Sequence, residues 1–340
     1  MSDHQIFTPP CPLHTAVLFL IYKRPDTTRQ VFEAIRQAKP PRLYVAADGP
    51  KPNVSGETER VQQARDIVLN GVDWDCEVKT LFRDTNLGCK YGVSGGITWF
   101  FEHEEEGIIL EDDTLPSQSF FWFCQELLER YRDDKRVMCV AAQNHHKPNL
   151  QKKQSYFFSR YNHCWGWASW RRAWDLYDIE MKHWPELRLT KWLYAIGGGS
   201  KLFHSYWKKI FDETIENQVD SWAYVWTFTC WSNSGLTAIP QLNLIKNIGF
   251  SEDATHTKLT NGVQNKLKLH ELFFPLSKNI LVIQDHYLDH VTDKYWFNIN
   301  LNNFIKSYII SNKFGYLLVF IYKKFRNIFH SNYKIQIIKF

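Results

Sequence analysis

Three adjacent carboxylates, Glu111, Asp112 and Asp113, come directly after the apolar run Gly107-Ile108-Ile109-Leu110. Side by side they repel one another unless a cation or hydrogen-bond donors compensate, and hard divalent ions such as Mg2+ or Mn2+ take oxygen ligands of this kind. A metal bound to a phosphorylated substrate is the first chemistry they suggest. The plain alternative is a solvated strand-to-loop turn in which Asp113 caps the next element. A second candidate set lies upstream, where Arg83, Lys90 and the glycines Gly88, Gly92, Gly95 and Gly96 precede a helix running through Phe101. Glycines and cations before a helix can approach phosphate oxygens closely, and the amino end of a helix favours anions. The spacing does not match GxxxxGK[ST], and no GxGxxG comes after the first apolar run, which argues against a dinucleotide fold.

These residues need strands and helices to position them. Ile, Ile and Leu in succession suit a parallel strand covered on both faces, and ligands of open α/β sheets gather beyond the carboxyl ends of the strands. Residues 16–22 read as a first strand and 23–26 as a turn. Val31, Phe32 and Ile35 fall at helical spacing over 28–38, with Asp26 or Thr27 as cap and Lys39-Pro40-Pro41 as the stop. Residues 42–47 form a second strand ending in Asp48-Gly49-Pro50, which completes a βαβ unit. Residues 52–70 read as a polar loop leading into a helix, 76–82 as a third strand, 119–131 as an amphipathic helix and 137–142 as a further strand. Asp48, the stretch from Arg83 to Asn86, and the acid triplet then end three elements on one edge, which points to a cleft for a nucleotide-sugar.

Beyond Pro148 the composition turns aromatic. Trp165, Trp167 and Trp170 bracket Gly166 and Ala168, and Gly166 allows a backbone to approach a ligand closely. Asp220 opens an aromatic helix and could be its amino cap. A strand-like run at 236–239 leads to a polar segment carrying Asp253 and His256.

Over the whole chain, 340 residues with 44% hydrophobic content allow a substantial core, and 16% aromatic content with 14 Trp suits the gripping of sugar faces as well as packing. The seven cysteines are scattered and form no CxxC pair, which speaks against a disulfide framework or structural zinc and for a reducing cytoplasm. The first apolar run is too short for a signal peptide or a membrane span. The net charge is +5, and after Asp293 the chain has no Asp or Glu while Lys and Arg continue among aromatic runs. Such a tail suits an anionic membrane surface, with a packed helical appendage or a nucleic-acid patch as alternatives.

With Ala47-Asp48-Gly49 after the second strand, Asn86-Leu87-Gly88 before a helix and then Glu111-Asp112-Asp113, the chain resembles the GT-A glycosyltransferases. The Glu-Asp-Asp form, with Pro116 and Phe120-Phe121 after it, looks like N-acetylglucosaminyltransferase I. Trp165-Gly166-Trp167-Ala168, Asp220-x-Trp222-Ala223 and Asp253-Ala254-Thr255-His256-Thr257 are similar to bacterial nucleotide-diphospho-sugar transferases of a family 2-like kind. The resemblance implies a three-layer α/β/α fold with a mostly parallel central sheet. Residues 14–290 would form the GT-A domain, divided at 145 and 146 into a nucleotide-sugar half and an acceptor and catalytic half, and 291–340 the basic tail.

It further implies Asp48 and Arg83 on the nucleoside with Asn86 beside them, and Glu111 and Asp112 on the ribose and sugar. Asp113 would hold Mn2+ or Mg2+ on the diphosphate, with Trp165, Gly166 and Trp167 at the donor and His256 at the diphosphate or the metal. Asp220 would be the base of an inverting displacement. The partners so implied are a UDP-type nucleotide-sugar and a glycan or glycolipid acceptor, with the tail on an anionic membrane and no nucleic acid. A cytoplasmic enzyme of surface polysaccharide or lipopolysaccharide synthesis, peripheral at the inner membrane face, is the expectation. The rivals are a sugar nucleotidyltransferase, which the turn Tyr22-Lys23-Arg24-Pro25 does not suit because it lacks a glycine-rich loop, and a non-catalytic carbohydrate-binding or membrane-associated accessory protein.

Overall fold

A computed structural model describes residues 7–146, 154–249, 267–278 and 281–301. In chain order the elements are β1 (Val17–Ile21), α1 (Pro25–Ala38), β2 (Arg42–Ala47), α2 (Glu57–Leu69), β3 (Glu77–Phe82), α3 (Gly88–His103), β4 (Glu106–Glu111), β5 (Thr114–Pro116), α4 (Gln118–Arg130) and β6 (Val137–Ala141). They continue with β7 (Tyr156–Ser159), β8 (Trp167–Trp170), α5 (Arg171–Trp174), α6 (Trp184–Leu187), α7 (Trp192–Ile196), α8 (Lys201–Ile215), α9 (Trp222–Ser232), β9 (Leu236–Pro240), β10 (Ile245–Asn247) and α10 (His286–Tyr295).

Eight strands form one sheet in the order β3-β2-β1-β4-β8-β6-β9-β7. All but β7 and β8 run in one direction. The sheet is covered on both faces, and the alternation of side chains along each strand says why. Val17, Phe19 and Ile21 of β1 pack with Val31, Phe32 and Ile35 of α1 and with Phe120, Phe123 and Leu127 of α4. Leu18 and Leu20 point the other way, into Ile97 and Phe100 of α3 and the aromatic residues of α8 and α9. Full burial of such a side chain contributes about 1.5–3 kcal/mol, so the strands are fixed by packing from both sides. This is the three-layer α/β/α arrangement with a mostly parallel central sheet implied by the resemblance.

Two element boundaries differ from expectation in ways that matter for the site. Helix α1 starts at Pro25, three residues early, because Pro at the first helical turn is favoured and its backbone nitrogen has no proton to satisfy. The connection from β1 is therefore only Tyr22, Lys23 and Arg24. Helix α3 starts at Gly88, so Gly92, Gly95 and Gly96 are helical and not part of a loop before it. At the other end, α10 straddles the expected boundary at residue 290. Arg160 Nη2 reaches both carboxylate oxygens of Asp293 at 2.9 and 2.7 Å in a buried ion pair, so the chain past 290 is bound into the domain. Residues 302–340 lie outside the described part.

Candidate functional site

Because β1, β2, β3 and β4 are parallel and in register, Ile21 beside Ala47, Ala47 beside Phe82 and Leu20 beside Glu111, their carboxyl ends share one edge. That edge carries Tyr22 to Arg24, Asp48, Arg83 and the acid triplet. The loops after β2 and β3 are zipped together: Gly49 N–H donates to Thr85 O at 3.2 Å and Asn86 Nδ2 to Gly49 O at 3.0 Å. Arg83 Nη1 donates to Gly92 O at 3.0 Å.

The head of α3 is closed by two carboxylates. The amides of Leu87, Gly88, Cys89 and Lys90 have no acceptor within the helix. Asp48 accepts from Leu87 N–H at 2.9 Å and Gly88 N–H at 3.1 Å, while Asp220, from far along the chain, accepts from Cys89 N–H at 2.9 Å and Lys90 N–H at 2.7 Å. The anion site expected at this helix end is thus taken by the protein's own acids. The glycines make the closure possible. A Cβ at Gly88, whose φ is +79°, would stand 2.9 Å from Asp220 Oδ2, one at Gly92 3.0 Å from Asp48 Oδ2, and one at Gly95 2.9 Å from Arg83 Nη2. Asp220 is an exposed residue, and it caps α3 rather than the aromatic helix α9, whose cap position is Ser221. A role as base must coexist with its two amide hydrogen bonds.

The acid triplet is already compensated. Arg24 Nη1 lies 2.8 Å from Asp113 Oδ2, Arg24 Nη2 pairs with Asp112 Oδ1, and Tyr22 N–H donates to Asp112 Oδ2 at 3.0 Å. Burial works against the charged Arg24, but the charges of Asp112 and Asp113 outweigh it and raise its pKa. Burial and then the Asp113 charge push Glu111 up to about 8, so at neutral pH Glu111 is a neutral acid able to donate a hydrogen bond. Burial also raises Asp112.

The turn that presents Arg24 is itself fastened. Glu57, fully buried, accepts from Lys23 Nζ at 2.6 Å, from the Lys51 amide at 2.8 Å and from the Tyr22 hydroxyl. Burial alone would raise this carboxyl, but these donors outweigh it and hold it at about 2. Neither Arg24 nor Glu57 was singled out in the sequence. The sequence shows only a pair of cations, Lys23 and Arg24, after the first apolar run, with nothing to say that they lie beside the acids.

A divalent ion at Asp113 does not fit this donor set. Three of the four oxygens of Asp112 and Asp113 are engaged, and a guanidinium supplies the positive charge. Among the described residues no group of three or more His, Cys, Asp or Glu side chains is placed to hold a metal. His256 lies outside the described residues, although the chain leads towards it from Gly249, against Asp113: Ile248 N–H donates to Asp113 O at 2.8 Å.

Of the aromatic trio, only Trp165 stays partly exposed. Trp167, expected at the donor, is 1% exposed and stacks on Trp222 at 5.5 Å in the core, so it cannot face a ligand. Gly166, with φ +58°, makes room for a side chain and not a substrate: a Cβ there would stand 2.7 Å from Ile245 Cδ1. Trp165 meets Trp296 edge to face at 5.7 Å, and Trp296 stacks on His145 at 4.5 Å. Burial lowers His145, and it holds the adjacent His163 at about 3, so this aromatic wall beyond the acid edge is uncharged. Cavities open elsewhere. One of about 690 Å³ lies between the β2–α2 and β3–α3 loops and is lined by Lys51, Asp84 and Asn86; another of about 1170 Å³ lies at the opposite, amino edge of the strands. Asp113 lines neither.

No family profile matches the chain, and no curated protein matches it. Among solved structures it is similar to S. aureus TarS 1–349 at 9% identity, over 68% of this chain and 59% of that one, with a TM-score of 0.38. Mouse xyloside xylosyltransferase 1 is similar at 12% identity over 64% and 80%, with a TM-score of 0.31. A UDP-glucose pyrophosphorylase complexed with UDP-glucose is similar at 8% identity over 48% and 78%, with a TM-score of 0.29. Likenesses this distant carry nothing towards function, which has to come from the chain's own residues.

Proposed function

We propose that this chain is an inverting glycosyltransferase that moves a sugar from a nucleoside-diphosphate donor, of the UDP type, to a hydroxyl of a glycan or glycolipid acceptor. The observation that carries the proposal is the gathering of Arg24, Asp48, Arg83 and Glu111 to Asp113 at the carboxyl edge of the parallel strands, with Asp220 brought to the same place across α3. Asp48, Arg83 and Asn86 flank the nucleoside. A protonated Glu111 meets a ribose or sugar hydroxyl, since a neutral carboxyl both donates and accepts, while the buried Asp112 holds Arg24 in place. Trp165 and the uncharged wall behind it offer apolar rings to a sugar face.

Asp220 takes the proton from the acceptor hydroxyl as that oxygen attacks the anomeric carbon, a step in which a positioned base is typically worth about 10²- to 10⁴-fold. The bond to the diphosphate oxygen breaks in the same displacement, so the configuration inverts and negative charge collects on the departing nucleoside diphosphate. The three-residue connection between β1 and α1 supports this reading over sugar activation, because it leaves no room for a glycine-rich loop around a triphosphate. The basic segment 302–340 is proposed to lie on an anionic membrane and bring a lipid-linked acceptor within reach. A thermal-shift screen of nucleotide-sugars tests the donor claim: at least one uridine diphosphate sugar should raise Tm, and a screen in which no nucleotide-sugar does so refutes it.

A further inference from the structure

The acids of this site converge on a side chain that already carries a positive charge. The two terminal nitrogens of Arg24 address one oxygen each of Asp112 and Asp113, a forked geometry that a guanidinium matches and an ammonium does not. The pair is packed in place. A Cβ at Gly249 would stand 2.8 Å from Arg24 Nη1 and 2.7 Å from Asp113 Cβ, so the chain leaving β10 closes over the contact. Arg24 still keeps 25% of its side-chain surface exposed, and a guanidinium has five N–H donors, more than two carboxylate oxygens use. A divalent ion held between the two acids would need Asp112 Oδ1 and Asp113 Oδ2 at about 2.0–2.6 Å and cannot share them with a guanidinium at hydrogen-bond distance; Asp113 Oδ1 alone makes a poor site.

We propose that Arg24 occupies the seat a divalent metal would take, so that the site carries its own cation and turns this cation to the diphosphate of a bound nucleotide. The second half rests on the glycosyltransferase reading and the first half does not, which lets the two be tested apart. Mn2+ titrated into the nucleotide-free protein and monitored by electron paramagnetic resonance decides the first. Arg24→Gln should bind Mn2+ at least about tenfold more tightly than the natural protein, because it frees the acid pair without filling it. Equal affinity for Mn2+ in the two proteins overturns the proposal. Arg24→Lys keeps a point charge and should fold if Arg24→Gln does not; it and the natural protein should both bind Mn2+ only weakly, with a Kd above about 1 mM, and a micromolar Kd for Mn2+ in either also overturns the proposal.

Calorimetry with UDP in EDTA decides the second half. The natural protein should bind UDP with an affinity that Mn2+ changes by less than about threefold, and Arg24→Gln should lose about tenfold or more in EDTA. UDP binding that requires Mn2+ overturns the diphosphate role of Arg24. Failure of the natural protein to bind UDP in either buffer, with the Mn2+ titration as expected, refutes the donor reading and upholds Arg24 as the resident cation.

Discussion

At the scale of single residues, Asp220 is where structural and chemical roles have to be separated. Its carboxylate closes the head of α3 through the Cys89 and Lys90 amides. Asp220→Asn keeps one acceptor for the two amides, so it should cost about 0.5–2 kcal/mol of stability, the usual range for a cap. Turnover should fall by about 10²- to 10⁴-fold while the Kd for donor barely moves. A variant that loses stability and keeps its kcat identifies Asp220 as a cap only. Glu111 gives a second test, through pH. Its pKa is raised from the ordinary carboxyl value to about 8 in the folded protein. Between these values the folded state holds a proton that the unfolded chain has released, so this group's contribution to stability is full at low pH and is lost as pH rises through about 8. Denaturant unfolding between pH 5 and pH 9 should show that loss, and Glu111→Gln should flatten it; an unchanged profile in the variant contradicts the assignment. The acid triplet itself was legible in the sequence as three charges ending an apolar run. Its partner was not, because Arg24 is far from it along the chain and only the pairing of β1 with β4 makes them neighbours.

At the scale of elements, periodicity located strands and helices well because burial here alternates cleanly: β2 falls on residues 42–47 as expected, and α4 and β6 lie within a residue of the expected limits. The aromatic and glycine-rich stretches were harder to read. Gly92, Gly95 and Gly96 suggested a phosphate loop, whereas their use is to let α3 lie close to Asp48, Arg83, Ala46 and Leu20. A missing side chain looks the same in a sequence whether it makes room for a ligand or for the protein. Trp167 misled for the same reason, since a ring in a Gly-flanked run can serve either a sugar or the core. Gly49 tests the joint between the two loops of the site. A Cβ there would stand 2.5 Å from backbone atoms of Asp84 and Thr85, which cannot rotate away. Gly49→Ala should therefore cost about 1–3 kcal/mol in denaturant unfolding, and a neutral result would mean that the loops are not held as described.

At the scale of the whole molecule, the central sheet holds the edge together and α10 seals its far side. The Arg160–Asp293 pair is buried on both partners, and removing one partner of such a pair typically costs about 3–5 kcal/mol. Asp293→Ala should lower stability by that order, measured by chemical denaturation, and on the proposed membrane role removal of residues 302–340 should reduce partition onto anionic vesicles. Among the described residues no helix is long and apolar enough to cross a membrane. The expected division at residue 290 placed α10 partly in the tail because the run of acids ends there; the fold instead uses the last of them, Asp293, as an internal tie. Transfer activity of this chain requires the carboxyl edge of the parallel strands to be a donor site. The release of labelled sugar from a panel of nucleotide-sugars, with and without candidate glycan acceptors, measures this most directly. At least one uridine diphosphate sugar should be cleaved or transferred by the natural protein, and a correctly folded protein that turns over none of them contradicts the account.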